Sequence, residues 1–518
     1  MPAESLTAGL LEPSAYPHPV GEVQLVETHI SWVFLTGDFA YKVKKPVKLG
    51  FLDFSTLERR RHFCEEELRI NRRTAPELYI GVVPIGTVSD RPRIDETPAI
   101  EYAVKMRQFS HRARLDRCLA AGELDRADMG QLAVSLAEFH AGIPFRERQQ
   151  GGQEARCVVR PALNNFRHLD AGRLPDKTRQ QLAVIESWTR DQCRGLEARF
   201  EERAEQGFVR ECHGDLHLEN LLLIDGRFVP FDAIEFEPKL RWIDTANDIA
   251  FAVMDLLARS RRDLAFSLLN DWLQETGDYG SLGVMRFYLA YRSMVRAVVT
   301  AIRREQRAPD RDSARPATET YVELAARLAD TPAPTLYLMH GLSGSGKTWV
   351  SECMIAGLPA LRVRSDVERK RLLHETRGKG SAEGIESGLY RPEVTDETYQ
   401  AMMRYCATGL GAGFDMIADA TFLAHRHRAA FARMAAERGA GLTIVDCTAP
   451  EAVLRQRIRR RQAERRDASD ADIAVLEHQL QAREPLTPAE RDRAIEVDGE
   501  AGLERWLARV RRARPLPR

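Results

Sequence analysis

The sequence predicts a multidomain α/β protein, an N-terminal α+β fold followed by a C-terminal doubly wound parallel sheet. Three observations predict it. Beyond residue 331 the chain alternates short apolar strands with helices, the pattern of a parallel sheet covered by helices. A glycine-rich loop directly follows the first of those strands. Residues 1–330 instead open with alternating strands and continue in long helical stretches. At roughly 150 residues per domain, the 518 residues suggest about three domains, or two with one of them large.

The boundary is set by composition. Residues 304–318, REQRAPDRDSARPAT, are charged and proline-bearing, without apolar periodicity. A short amphipathic helix is expected from Tyr321 to Ala329, and the prolines of TPAP at 331–334 end it, because proline cannot donate the helix hydrogen bond. The expected domains are therefore 1–330 and 331–518.

Hydrophobic residues make up 44% of the chain and charged residues 29%, an ordinary globular balance with ample chain for a core. Lys+Arg and Asp+Glu both number 76, which excludes retention on nucleic acid or membrane by bulk charge alone, though not a local basic patch. Ten of the basic residues are Lys and 66 are Arg, so each lysine draws attention. No run of eighteen apolar residues exists, and no transmembrane helix is expected. The opening stretch lacks the basic and apolar regions of a signal peptide, and none is expected. Eight scattered cysteines form no CxxC pair, which fits a reducing cytoplasm and suggests neither a disulfide framework nor a zinc site.

In the C-terminal part the expected strands are TLYLMH, LRVRSD, FDMIADATF, LTIVDCTA and AIEVDG. After the first comes Gly341-Leu-Ser-Gly344-Ser345-Gly346-Lys347-Thr348, a full match to G-x-x-x-x-G-K-[ST] between a strand and a helix. Such a loop wraps backbone amides around phosphate oxygens at a helix N-terminus, where the dipole favours negative charge. Lys347 is expected to reach the β- and γ-phosphates of ATP, and the Thr348 hydroxyl to ligate Mg²⁺. Asp366, at the tip of the second strand, is expected either to take a proton from an attacking hydroxyl or to cap the following helix, or both. Asp419, ending the third strand, suits the metal, the acceptor or a plain turn. Arg457 and Arg461, with Arg465 and Arg466 in the same run, can close over a nucleotide or form a solvated helix face.

The N-terminal part carries His213-Gly-Asp215-Leu-His217-Leu-Glu-Asn220, then Phe231-Asp232-Ala-Ile-Glu235. Phosphoryl transfer needs a carboxylate to orient the acceptor hydroxyl and take its proton, and oxygen ligands for Mg²⁺ beside the phosphates. Asp215 suits the first task; Asn220 and Asp232 suit the second, brought together by a hairpin turning at Asp225-Gly226. Upstream, Trp32 to Lys42 reads as strand, tight turn at Gly37, and strand. Ala40 and Lys42 share one face of that second strand, and Lys44 has the same parity. Ser55-Thr-Leu-Glu58 forms a capping box for a helix carrying Glu65, Glu66 and Glu67, one of which would pair with the strand lysine. Glu67 is preferred because Ile70, three residues on, anchors that face.

These N-terminal motifs resemble the aminoglycoside phosphotransferase and choline kinase branch of the protein-kinase-like fold. The resemblance implies a small lobe at about 20–105 and a large lobe at about 110–330, with Lys42 on the ATP phosphates and Glu67 paired with that lysine in the cofactor site, Asp215 as base, and Asn220 and Asp232 on the metal. It implies a hinge after Ala99–Gln108 and a bracing role for Asp248. The glycine loop departs from the wider kinase pattern, since only Gly37 is present. GLSGSGKT, RSDVERK, DAT and the RIRRR segment resemble the small P-loop kinases related to polynucleotide, gluconate and zeta-toxin kinases. Phe422 stands where the polynucleotide kinases usually carry Asn. The chain as a whole looks like bacterial fusions of these two kinds of domain.

The expectation is a cytoplasmic, ATP- and Mg²⁺-dependent bifunctional phosphotransferase acting on hydroxyls of small molecules, with no membrane partner. Two alternatives stay open: a single kinase regulated by a nucleotide-sensing P-loop domain, and a C-terminal kinase acting on nucleic-acid ends.

Overall fold

The computed structural model describes residues 2–49, 52–145, 154–169, 174–305, 317–330, 333–377, 392–464, 472–497 and 500–513. Most of the charged segment before 317, the Thr331–Pro332 break, Arg465 with Arg466, and the basic end of the chain lie outside the described residues. Among the described residues no helix is long and apolar enough to cross a membrane.

The chain packs as two compact units. The first joins Met1–Leu124, Glu138–Val159 and Phe200–Ala252; the second joins Asp125–Ala137, Arg160–Arg199 and Val253–Arg518. This division differs from one drawn at residue 330, because the helices between 253 and 330 pack within the second unit.

The first unit is built on β1 (Gln24–Glu27), β2 (Ser31–Leu35), β3 (Phe39–Lys44), β4 (Lys48–Leu49), β5 (Leu52–Asp53), β6 (Tyr79–Val88), β7 (Arg91–Ile94) and β8 (Glu101–Arg107). Six of these form one antiparallel sheet in the order β1-β2-β3-β8-β6-β7, while β4 and β5 pair separately. Aromatic and β-branched residues alternate along β2 and β3. Phe34, Tyr41 and Val43 are buried in one apolar cluster, and Ala40 in another with Met106 and Leu222. Helix Leu57–Asn71 packs against β8 and β6. Its cap is Thr56, whose side chain accepts from Arg59 N, and not Ser55. Ser55 is instead engaged through its amide and hydroxyl by the Asp53 carboxylate, so the capping box does not form.

Downstream lie β9 (Val209–Glu211), β10 (Leu221–Ile224), β11 (Arg227–Pro230) and β12 (Trp242–Asp244). β10 and β11 make the expected two-residue hairpin, with Ile224 opposite Arg227. Asp225 and Gly226 both have positive φ, +50° and +74°, as a primed hairpin turn requires.

The second unit contains a parallel sheet of β13 (Thr335–His340), β14 (Ala360–Arg364), β15 (Asp415–Asp419), β16 (Gly441–Cys447) and β17 (Ala494–Val497), in the order β14-β15-β13-β16-β17. All five expected strands are present, and the doubly wound class holds. The chain reverses its winding at β13, so the ligand crevice of such a sheet falls at the C-terminal tips beside β13. Helices Lys347–Gly357 and Glu500–Ala513 cover one face around Met354, Leu503 and Trp506.

β14 is an edge strand, and helix Arg262–Thr276 closes that edge. Asn270 Nδ2 donates to the Ala360 carbonyl at 3.1 Å, and Arg362 N donates to Asn270 Oδ1 at 2.7 Å. One side-chain amide thus takes the place of a neighbouring strand. Asn270→Ala is expected to lower stability by about 2–4 kcal/mol, since it strips partners from two buried backbone groups. Urea denaturation of the full chain measures this.

Candidate functional sites

β3 sends Lys42 and Lys44 to the same face, toward helix Leu57–Asn71 and the segment after β11. Lys42 Nζ lies 2.8 Å from Glu67 Oε1 and 2.5 Å from Asp232 Oδ1. Lys44 Nζ lies 2.8 Å from Glu67 Oε2 and also contacts Glu235 Oε1. Glu67 therefore bridges both lysines from a fully buried position. Glu65 pairs with Arg61 and Glu66 with Arg69 and Arg241, both away from the strand lysines. The two lysines are also separated in environment: Lys42 faces the half-exposed Asp232, while Lys44 is sealed beneath Phe54.

Electrostatics follow the contacts. Burial works against charge on Lys42, but Asp232 and Glu67 overcome it and hold the ammonium well above its ordinary range. Burial likewise opposes Glu67 ionisation, and the two lysines outweigh it, lowering its pKa to about 2. Glu235 goes the other way, since burial raises it further than Lys44 lowers it. Asp232 adopts a left-handed backbone with φ +60°, a conformation Asp tolerates better than most residues. Its N–H donates to the Tyr79 hydroxyl at 3.1 Å, which fixes where the carboxylate points.

The catalytic-loop motif folds beside this cluster. His213 N and Gly214 N donate to the two oxygens of Asp248 at 3.1 and 2.9 Å, and His140 Nε2 lies 3.2 Å from Asp248 Oδ2. Gly214 has φ +84°, and a side chain there would strike the Leu240 carbonyl. Asp215 N donates to His213 Nδ1, so the ring proton sits on Nε2 and is given to the Phe231 carbonyl at 2.8 Å. Burial lowers the His213 pKa, consistent with that neutral form. Glu219 N donates to His217 Nδ1, which leaves Nε2–H facing Asp215 Oδ2 at 3.3 Å. Asn220 Nδ2 donates to the same Asp215 oxygen at 3.0 Å, leaving its carbonyl oxygen as an acceptor. Asp215 is thereby aimed by two donors while about a third of its side chain stays exposed.

The structure therefore brings together Lys42, Glu67 and Asp232 in one cluster, and Asp215 with Asn220 in the adjoining loop. Tyr79, Glu235 and His217 were assigned no role from the sequence. Glu235 and His217 lie inside the quoted motifs, so their spacing was the available signal; Tyr79 is distant in the chain and offered none.

In the second unit the loop after β13 carries positive φ at Gly341, Gly344 and Gly346, at +139°, +84° and +97°. A Cβ at Gly341 would meet the Cys447 carbonyl at 2.3 Å, so only glycine fits there. Lys347 begins the helix and its Nζ donates to the Leu342 carbonyl at 2.8 Å, with burial lowering its pKa. Thr348 follows in the first turn, where the Ser351 hydroxyl sits 2.9 Å from its carbonyl. Ser351 also reaches Asp419 Oδ2 at 2.8 Å, and Arg362 Nη1 donates to Ser351 Oγ at 2.8 Å. Asp419 is thus fixed beneath the loop rather than standing in a plain turn.

Asp366 lies in the first turn of helix Ser365–Arg377, within reach of Arg369 at 3.5 Å. The helix starts two residues earlier than an Asp366 cap requires, so the capping expectation does not hold. Arg457 Nη1 donates to the Gly344 carbonyl at 3.2 Å from helix Glu451–Glu464. Arg461, one turn on, acts electrostatically on Lys347. Gln479, unremarked in the sequence, accepts from Ser343 N at 2.9 Å.

A family model described as an AAA domain matches residues 336–486. Uncharacterized proteins of Mycobacterium tuberculosis and Mycobacterium bovis are 30% identical over 498 residues, covering 95% of this chain and 96% of theirs. Among solved structures, a choline/ethanolamine kinase family protein from Mesorhizobium loti covers 60% of this chain and 89% of its own, at 14% identity and a TM-score of 0.36. An aminoglycoside phosphotransferase from Alicyclobacillus acidocaldarius covers 64% and 92%, at 16% identity and a TM-score of 0.35. A putative kinase from Chloroflexus aurantiacus covers 35% and 98%, at 20% identity and a TM-score of 0.29.

Proposed function

The chain belongs to the family of these full-length mycobacterial relatives, and on that premise we propose that it is a cytoplasmic ATP-dependent phosphotransferase with two separate sites. The observation that carries the reading is the meeting of Lys42, Glu67 and Asp232, residues 25 and 190 positions apart, beside a loop that aims Asp215. Lys42 is held between the buried Glu67 and the half-exposed Asp232, which keeps its ammonium beside a carboxylate that solvent can reach.

In the first site Lys42, held by Glu67, meets the ATP phosphates. Asp215 accepts the proton of a small-molecule hydroxyl as that oxygen bonds the γ-phosphorus. The bond to the bridging oxygen breaks with its electrons, and ADP leaves. In the second site the loop amides and Lys347 hold the phosphates, Asp366 faces the acceptor, and Arg457 and Arg461 offset charge on the transferring group. The oxygen-rich donor sets suit a hard cation: Asn220 and Asp232 in the first site, Thr348 with Asp419 in the second. Mg²⁺ there would neutralise phosphate charge.

A second reading of the P-loop half, as a nucleotide sensor, differs from the kinase reading in expecting ATP binding at the loop with no Lys347-dependent product. A C-terminal kinase acting on nucleic-acid ends would be marked by salt-dependent retention on single strands.

The deciding experiment supplies γ-labelled ATP, Mg²⁺ and a pooled metabolite extract to wild type, Asp215→Ala and Lys347→Ala. Each variant is expected to lose a different labelled product, by about 100-fold or more. If only Asp215→Ala loses one, the sensor reading replaces the second kinase. If neither does, both kinase assignments fail.

A further inference from the structure

An unassigned cleft of about 660 Å³ opens beside the phosphate loop, lined by Gly341, Leu342 and Ser345 on one side. Its other walls include His340, Asp446 and Glu496. These three residues are register partners across β13, β16 and β17. Partners in a parallel ladder project to one face, and here the alternate residues Met339, Val445 and Val497 are buried under the helices of the opposite face. On β13 and β16 the polar residues His340 and Asp446 follow Leu338 and Ile444 on the same face, so the apolar ladder turns polar at its C-terminal tip.

Resting on the nucleotide reading of the loop, we infer that this cleft seats the nucleoside end of the bound nucleotide. Asp446, turned by His340, and Glu496 select a ribose with both hydroxyls. Two carboxylates beside an anion-binding loop repel phosphate and accept from donors; a loop-bound ATP carries two adjacent ribose hydroxyls and one base amine, and carboxylates paired across neighbouring strands match the adjacent hydroxyls. His340 Nδ1 lies 2.7 Å from Asp446 Oδ1, which occupies one oxygen and leaves Oδ2 for a ligand. Ser345 supplies the independent sign of a ligand: its hydroxyl is buried, lines the cleft, and meets no hydrogen-bond partner in the protein. Leu454 and Leu486 give the cleft an apolar wall for a sugar or base face. The acceptor has a separate place, because Asp366 and Arg369 follow β14, at the far edge of the sheet from β17.

The test titrates the full chain with Mg·ATP, Mg·2′-deoxy-ATP and inorganic tripolyphosphate, taking the Lys347-dependent component as binding at the loop. Wild type is expected to prefer ATP over the deoxy form by about 10- to 100-fold, the range for hydrogen bonds to a charged group. Asp446→Asn and Glu496→Gln are each expected to shrink that preference to within about threefold while tripolyphosphate binding, the control for folding, stays unchanged. A wild type that binds both nucleotides alike, or variants that keep the preference, overturn the inference and leave the phosphate loop standing. If Lys347→Ala alters none of the three titrations, the nucleotide reading of the loop itself fails.

Discussion

Glu67→Ala is expected to lower folding stability by about 3–5 kcal/mol at neutral pH, the usual cost of removing one partner from a buried ion cluster. It strands two buried ammonium groups that Asp232 and Glu235 can only partly offset. The pH dependence has a definite sign. A carboxyl whose folded pKa is lowered from 4.5 to about 2 contributes stability that is fully present above about pH 4.5 and is lost as pH falls toward 2. The gap between wild type and Glu67→Ala in urea denaturation should therefore narrow progressively from pH 4.5 downward. A constant gap would mean that Glu67 acts by packing alone. Glu65→Ala, on an exposed pair with Arg61, is expected to change stability by less than about 1 kcal/mol.

Asp248→Ala is the second large effect. It removes the acceptor of His213 N and Gly214 N, two backbone groups in a buried loop, at a cost of about 2–4 kcal/mol. Transfer should suffer alongside folding, because a misplacement of about 1 Å at Asp215 costs roughly 100-fold in rate. Asp248→Asn retains one acceptor oxygen and should recover part of both losses. Amide exchange at His213 and Gly214, measured alongside the Asp215-dependent product, separates a loosened loop from a globally unfolded chain. Unchanged exchange in Asp248→Ala would remove the bracing role.

The parts legible in the sequence were those written locally. The five C-terminal strands, the phosphate loop and the Asp225-Gly226 hairpin each depend on residues within one short segment. Lys42 could be placed on its face by parity, but parity alone could not rank it against Lys44. The choice depends on Asp232 and Glu235, which the fold delivers from some 190 residues away. Glu67 stood among three consecutive acids, and its spacing from the apolar Ile70 singled out the one that turns inward against β8. The start of the helix at Ser365 was misjudged by two residues because an Asp in a first turn and an Asp at a cap read alike in one dimension. Gln479 and Asn270 were invisible for a different reason: a side-chain amide standing in for a missing partner leaves no periodic trace.

Asn270's hold on β14 also governs how this protein can be taken apart. A fragment beginning after residue 330 looks like a self-contained P-loop protein, and the proline break invites the cut. Yet it would discard the helix that closes β14, leaving unpaired backbone donors and acceptors along a strand edge. Exposed edges of that kind recruit strands from other molecules. Aggregates or adventitious dimers from such a fragment would be artefacts of the scissors rather than properties of the catalyst. Assigning work to the two sites is therefore a task for point substitutions in the intact polypeptide.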